Sequence, residues 1–548
     1  MVSVLPLIGS LLFAAFAGVQ SPQAQTPPAE TARISGIVTR GDTGQPLPGV
    51  MLRLVRWDGG RGRQFPPVRT DADGRFVVEK LPAGEYALSF SAEGFVSLEL
   101  GQRRPQELPR RIRLTEGQHA ADVEMTLPRT AAIEGQVLDE FGDPVPGIAV
   151  QVARVQYAAG KHRLMPMGSQ GTPTDDLGRF RVFNLPPGEY YLVALSGPFA
   201  GAETVAGFAL TYFPGTANPQ DAQAVTVGVG EDVTGVTIPM SPAPMSTISG
   251  VTTDEQGTPM RSEIMLLPTS GGDVRAMIMS RAPTSPTGTF VFRNVAAGTY
   301  TLQAFGRPVG GGNLARAPFG ATLVTVDGDV SNVNVTIATG TTLRGRIIFE
   351  GDGPQPEPTR VSVFPAPVNF ATGPVGGGPP DSVTSPDWTF ETKNMNGSRV
   401  IRVNVGAAGW ILKQVTRDGV DITDRPVDFR KGDVNGVEVT LTNRVATIKG
   451  SVTDGNRPAP SSSVLIFAED RALWAFPSRY LAAVRSDESG AFTATGLPGG
   501  DYLVIAVPQV AGTDWQDPAV LATYQGLATK VSVPAGTTAT TSLRLLRQ

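Results

Sequence analysis

The sequence predicts an all-β chain, a tandem array of about five β-sandwich units. Three observations carry that prediction. A short strand with a central glycine recurs five times at steps of roughly 100 residues. Gly (64) and Pro (47) punctuate the chain as densely as many short strands require. Apolar residues alternate with period two, and helical spacing is hard to find over any long window.

The repeat begins at Ile34-Ser35-Gly36-Ile37-Val38, Ile133-Glu134-Gly135-Gln136-Val137, Ile248-Ser249-Gly250-Val251-Thr252, Leu343-Arg344-Gly345-Arg346-Ile347 and Ile448-Lys449-Gly450-Ser451-Val452. One small domain fits each step. The expected division is a leader and polar segment at 1–25, then sandwiches at 31–128, 131–240, 246–338, 341–442 (a divergent copy) and 446–546.

Further signposts follow in fixed order. A Gly/Pro turn comes first, as in Gly44-Gln45-Pro46-Leu47-Pro48-Gly49 and Gly142-Asp143-Pro144-Val145-Pro146-Gly147. A second turn opens a strand at Gly74-Arg75-Phe76, Gly178-Arg179-Phe180, Gly288-Thr289-Phe290 and Gly490-Ala491-Phe492, where the fourth copy has Asp387-Trp388-Thr389-Phe390. Then comes Leu81-Pro82-Ala83-Gly84-Glu85-Tyr86, matched by Leu185-Pro186-Pro187-Gly188-Glu189-Tyr190 and Leu497-Pro498-Gly499-Gly500-Asp501-Tyr502. The third copy keeps Gly298-Thr299-Tyr300 and the fourth has Asn396-Gly397-Ser398-Arg399-Val400. Proline fixes φ and glycine accepts positive φ, so this motif forces a tight reversal between strands.

The strand after it places Tyr86, Leu88 and Phe90 on one face, and Val50, Leu52 and Leu54 alternate likewise. That pattern suits antiparallel sheets packed face to face. Asp122-Val123, Asp232-Val233, Asp329-Val330 and Asp433-Val434 precede the last strands. The linkers are short, so a semi-stiff string of independent units is expected.

With 46 basic and 50 acidic residues the net charge is −4, which gives no footprint for nucleic acid. There is no cysteine, so disulfides, thiolate metal sites and a lipidated cysteine are excluded. The apolar stretch 4–19 ahead of a polar, Pro-rich segment reads as a signal peptide, cleaved after Ala17 or Ala24, although no Lys or Arg precedes Arg33. It is short for a membrane span, and no later apolar run approaches the length of one, so no span is expected in the mature chain.

Taken together, I/L-x-G-x-V/I, G-x-P-x-P-G, D-x-x-G-R-F and L-P-x-G-x-Y resemble the carboxypeptidase regulatory-like domain, over residues 33–546. The resemblance is closest in copies one, two and five, looser in three and loosest in the middle of four. It implies a seven-stranded, immunoglobulin-like sandwich, similar to transthyretin (prealbumin) and to collagen-adhesin B-type repeats and often grouped with starch-binding-like folds. Tyr212-Phe213-Pro214-Gly215-Thr216 and the run from Asp418 to Asp424 resemble segments of multi-repeat exported proteins of soil bacteria. No activity is implied, because in metallocarboxypeptidases this module stands beside a separate zinc peptidase domain.

Chemistry-bearing constellations are sparse. His119 and His162 lie in different copies, too few for a His-based zinc site or a Ser-His-Asp triad in one domain. The glycine runs at 310–312 and 376–378 lack the Lys and Ser/Thr of a phosphate loop. Asp71-Ala72-Asp73-Gly74 opens like a calcium loop, but position twelve is Pro82, so a turn with Asp accepting backbone hydrogen bonds is the better reading. Arg103, Arg104, Arg110, Arg111 and Arg113 are a candidate anion site, though such runs are more often solvated. Trp474, Phe476 and Tyr480, with Tyr212 and Phe213 in the second copy, are candidate carbohydrate-stacking rings. The competing reading is that loop aromatics pack on their own domain.

The expected function is therefore a non-enzymatic, exported protein of the periplasm, cell surface or medium that binds or spaces. A carbohydrate-binding array for polysaccharide capture is the alternative, and an accessory subunit of a hydrolase or transporter a remote third. No cofactor or metal is expected. Polysaccharide or cell-envelope proteins are the expected partners, and the chain is expected to be monomeric.

Overall fold

The computed structural model describes residues 31–58, 61–158, 160–167, 173–196, 207–269, 275–276, 280–306, 317–368, 382–406, 409–510 and 512–546. The segment read as a signal peptide and the glycine runs at 310–312 and 376–378 lie outside these residues. Strands dominate, grouped into two sheets for each repeat.

Each glycine strand sits between two partners. In the first unit Ala32–Arg40 pairs antiparallel with Arg75–Leu81 and parallel with His119–Leu127. Ala131–Leu138, Met245–Thr253, Thr341–Glu350 and Ala446–Asp454 hold the same place in the other units. The parallel pair departs from the purely antiparallel expectation. A last strand parallel to the first finishes at the opposite end of the unit, which is where the next strand starts: Leu127 ends one and Ala131 begins the other.

The recurring glycine has a steric cause. A Cβ on Gly135 would collide with the Val236 carbonyl oxygen and lie 2.6 Å from the Phe180 ring. Gly36, Gly250, Gly345 and Gly450 meet the same obstruction from Val123, Val333, Val437 and Thr541, with Phe76, Phe290, Phe390 and Phe492 over them. The glycine strand and the G-x-F signpost are thus two halves of one contact.

Opposite that glycine the last strand of units one to four carries one extra residue. It is held at positive φ by Asp122 (58°), Gly235 (78°), Asn332 (57°) and Gly436 (70°). The fifth unit pairs without interruption. The registers align Ala120 with Val233, so Asp122-Val123 is not the counterpart of Asp232-Val233. Asp122 instead occupies the left-handed place of Gly235. Asp329 and Asp433 do act alike, accepting the N–H of Thr247 and Thr342 at 2.7 and 2.9 Å.

The Leu-Pro-x-Gly-x-Tyr turn is anchored by its tyrosine. The hydroxyls of Tyr86, Tyr300 and Tyr502 donate to the carbonyl four residues back at 2.6, 2.9 and 2.7 Å, and Tyr190 does so to Pro186. The rings of Tyr86, Tyr190 and Tyr502 are buried at the sheet interface. Each main core draws on one unit alone: 32–127, 131–240, 248–337, 343–441 and 446–543.

The fourth unit redistributes its strands. Ile411–Arg417 joins the sheet of the glycine strand, beside Val434–Thr442, so that sheet has six strands and the opposing one three. The second unit has three strands in the sheet of its glycine strand and the larger set opposite, including a two-residue parallel pairing from Arg275–Ala276 of the third repeat.

Candidate functional site at the fifth unit

The motif carboxylates are used locally. Asp71 Oδ1 accepts the N–H groups of Asp73 and Arg75 at 3.0 and 2.8 Å. Asp175 and Asp487 do the same for Leu177 and Arg179, and for Ser489 and Ala491. Among the described residues no three His, Asp or Glu side chains are grouped to hold a metal ion. The arginine run is dispersed into contacts. Arg110 pairs with Glu488, while Arg111 pairs with Glu85 at 3.4 Å and lies over Trp57 at 5.1 Å. The backbone N–H groups of Arg103 and Arg104 bond the buried carboxylate of Glu107 at 2.7 and 3.0 Å.

Trp474 offers no stacking face. Asp470 accepts the N–H of Ala472 at 2.9 Å, winding Arg471–Trp474 into a single 3-10 turn that folds the indole back over its own sheet. The ring is 2% exposed, sits 5.4 Å from Phe467, and its Nε1 donates to the Ala468 carbonyl at 2.7 Å. Tyr212 is equally enclosed at 2%, and burial pushes its phenol above the ordinary range. Phe213 is half-buried against the core of the second unit. The Arg479 guanidinium covers the Tyr480 ring at 4.8 Å, and Tyr502 lies 6.5 Å from it. Of the five rings singled out in the sequence, Phe476 is half-buried at a rim that it shares with Tyr480. It borders a recess of about 290 Å³ between units four and five, also lined by Val400, Arg402, Asp424, Leu473 and Tyr480.

Arg402 and Arg479 sit in that wall with side chains only 12% and 18% exposed, and both reach Asp424, at 2.8 and 3.2 Å. Two guanidiniums on one carboxylate would suit an anionic ligand if donors remained free. They do not. A guanidinium has five N–H groups, and those of Arg402 go to Asp424 and to the carbonyls of Ile401, Thr423 and, twice, Pro477. Arg479 Nη1 donates to the carbonyls of Leu412 and Lys413, both at 3.0 Å. Burial pulls Arg402 below its ordinary value, Asp424 opposes that, and the neighbouring Arg479 adds to it. These arginines fasten unit five to unit four.

The fifth unit also reaches the first and second. The Tyr157 N–H donates to Asp514 Oδ1 at 2.7 Å, and the Thr513 hydroxyl donates to the Tyr157 carbonyl. His162 Nε2 lies 3.2 Å from Asp517 Oδ2, whose Oδ1 caps the short helix Pro518–Tyr524 through the Ala519 N–H at 2.8 Å. Toward unit one, the Gly512 N–H donates to the Gln106 carbonyl at 2.8 Å, and Arg485 Nη1 to the Leu108 carbonyl at 2.7 Å. With its amide oriented by its neighbours, Gln509 donates to both oxygens of Glu107 at 2.8 and 3.0 Å. The expected string of units with little communication is therefore folded back on itself. The sequence singled out the run ending at Asp424 for another reason. Arg402, Tyr157 and Asp514 carry no local signal, because their partners lie far away in the chain.

The family pattern of the carboxypeptidase regulatory-like domain matches residues 33–128 and 132–241. None of the curated proteins matches the chain. Among solved structures, it is similar to the minor pilin of Streptococcus agalactiae, at 17% identity over 39% of this chain and 97% of that one, with a TM-score of 0.23. It is also similar to the Bacillus anthracis TIE protein, at 10% identity over 96% of this chain and 76% of that one (TM-score 0.16). The major pilin subunit of Bacillus cereus matches at 11% identity over 56% of this chain and 100% of that one (TM-score 0.16).

Proposed function

We propose that this chain, whose first two units match the carboxypeptidase regulatory-like domain, is an exported, non-catalytic β-sandwich array that works at the cell exterior by binding or holding partners with its surfaces. The observation that carries this reading is the use of the motif residues. The repeated Asp, Gly, Phe and Tyr make the turns, the close strand approach and the anchors of the sandwiches themselves. The matched module is a non-catalytic domain type, so function falls to surfaces and junctions rather than to a reacting centre. Polysaccharide and cell-envelope proteins are the partners this reading expects, for a chain acting as a monomer.

Two measurements test it. Fractionation of the producing cells should find the protein outside the cytoplasm, beginning after Ala17 or Ala24. The purified mature chain should then retain envelope proteins or glycans in a binding screen. An uncleaved cytoplasmic protein would overturn the reading. A second reading, glycan capture, is favoured by one feature, the Phe476 rim of the recess between units four and five. Under that reading Phe476→Ala weakens glycan binding by about 1–2 kcal/mol, while Trp474→Ala lowers stability instead.

A further inference from the structure

The junctions made by the fifth unit differ in kind. Against unit four, two guanidiniums at 12% and 18% exposure share one carboxylate, so separating the units would expose a buried ionic network. Against units one and two, most bonds come from loops: Gly512 to Gln106, Thr513 and Asp514 to Tyr157, Asp517 to His162, Gln509 to Glu107 and Glu488 to Arg110, with Arg485 alone reaching the Leu108 carbonyl from the end of a strand. No side chain of one main core enters another, so these contacts can part while each sandwich stays whole. Polar bonds of this kind exchange for bonds to water with little net change. Arg485 Nε finds no acceptor among the described residues, so the closed junction is incompletely satisfied. The tip of the second unit's hairpin also overlies the recess rim, and a Cβ placed on Gly160 would lie 3.6 Å from Phe476 Cβ.

We propose that the docking of unit five on units one and two is a reversible latch. Closed, it folds the array back on itself and shields Phe476. Released, it lengthens the molecule and uncovers Phe476 and the recess, with units four and five still joined and no sandwich unfolded.

The absence of cysteine makes the test clean. In full-length Gly160→Cys/Phe476→Cys the expected Cβ separation of 3.6 Å lies within disulfide range. Mild oxidation should give a disulfide within one chain, seen as a faster band on a non-reducing gel. Adding Asp514→Ala should slow that closure by about tenfold, and Asp514→Ala in the native background should raise the radius of gyration in solution scattering. Far-UV circular dichroism should not change in either case. His162→Ala, a change on a partly exposed ring, is the second variant and should act in the same direction. Closure rates within twofold of the parent for both variants would overturn the latch, and so would a disulfide formed only between chains. Neither result bears on export or partner binding, which the fractionation and binding screen read separately.

Discussion

The second and fourth units distribute their strands differently but share the glycine strand, its two partners and the turns beside them, and secure these with different side chains. In unit two the Tyr190 hydroxyl bonds the Pro186 carbonyl. Unit four has Val400 at the tyrosine position, and the adjacent Arg399 sends Nε to the equivalent carbonyl of Asn396 at 2.7 Å and Nη1 to the Pro365 carbonyl at 3.0 Å. Arg399 is only 5% exposed, and burial pulls it down to about 10. The turn before the central phenylalanine shows the same exchange. Gly178 (φ 68°) and Trp388 (φ 64°) both bend left-handed. Their carbonyls accept the same strand bond, from Val137 and from Ile347, at 2.8 Å each. A Cβ on Gly178 would come 3.2 Å from Pro144, whereas Trp388 packs on Phe349 at 4.5 Å, beside Trp410. What persists is the set of backbone bonds and left-handed turns; the groups that secure them can change.

The largest expected effect tests what the two units share. Gly135→Val and Gly345→Val should each cost at least about 3 kcal/mol, because overpacking here is against a backbone carbonyl that has nowhere to go. Hydrogen exchange should lose protection in the altered unit alone, and a large difference between the two variants would break the equivalence of the units.

Arg399→Ala should cost about 2–3 kcal/mol, since two carbonyls lose their donors. Glu189→Ala, at the matching exposed position of unit two, should change stability by less than about 0.5 kcal/mol. Denaturant unfolding of the full chain with a probe in each unit separates the two. Restoring the tyrosine with Arg399→Glu/Val400→Tyr should recover part of the loss; no recovery would mean that the arginine is more than a substitute anchor.

Gly188→Val should cost about 1–3 kcal/mol. Its φ is 150°, and an added Cβ would run into the Arg154 guanidinium. Ser398 stands at the same place in unit four without a positive φ, so Ser398→Val should be nearly neutral in the same assay.

The smallest effect is a difference in acid response. In unit four, Lys413 holds Glu350 below its ordinary value, and Lys393 does the same for Glu391. Hydrogen bonds hold down Asp387, Asp421 and Asp433, and Arg430 brings Asp428 to about 2. A carboxylate lowered on folding contributes stability above its unfolded value and loses it as pH falls through the folded one. These groups are exposed and screened, so each contribution is small. Pepsin digestion from about pH 4 down to about pH 2 should therefore cut unit four before unit two, and the reverse order would show that other groups govern acid stability.

The array, its five units and their turns were legible because each depends on residues near one another in the chain. A glycine at positive φ, an Asp accepting N–H groups two and four residues on, and a tyrosine reaching back four residues leave a signature at fixed spacing. Period-two alternation likewise foretold the buried faces of Tyr86, Leu88 and Phe90. Tertiary structure alone decided the parallel first and last strands, the burial of Trp474 under its own 3-10 turn, and the use of Arg402 and Arg479 as fasteners. The same holds for the docking of Asp514 on Tyr157. Those features depend on which distant groups meet and how much water is excluded between them, and a residue's type and its neighbours in sequence carry no record of either.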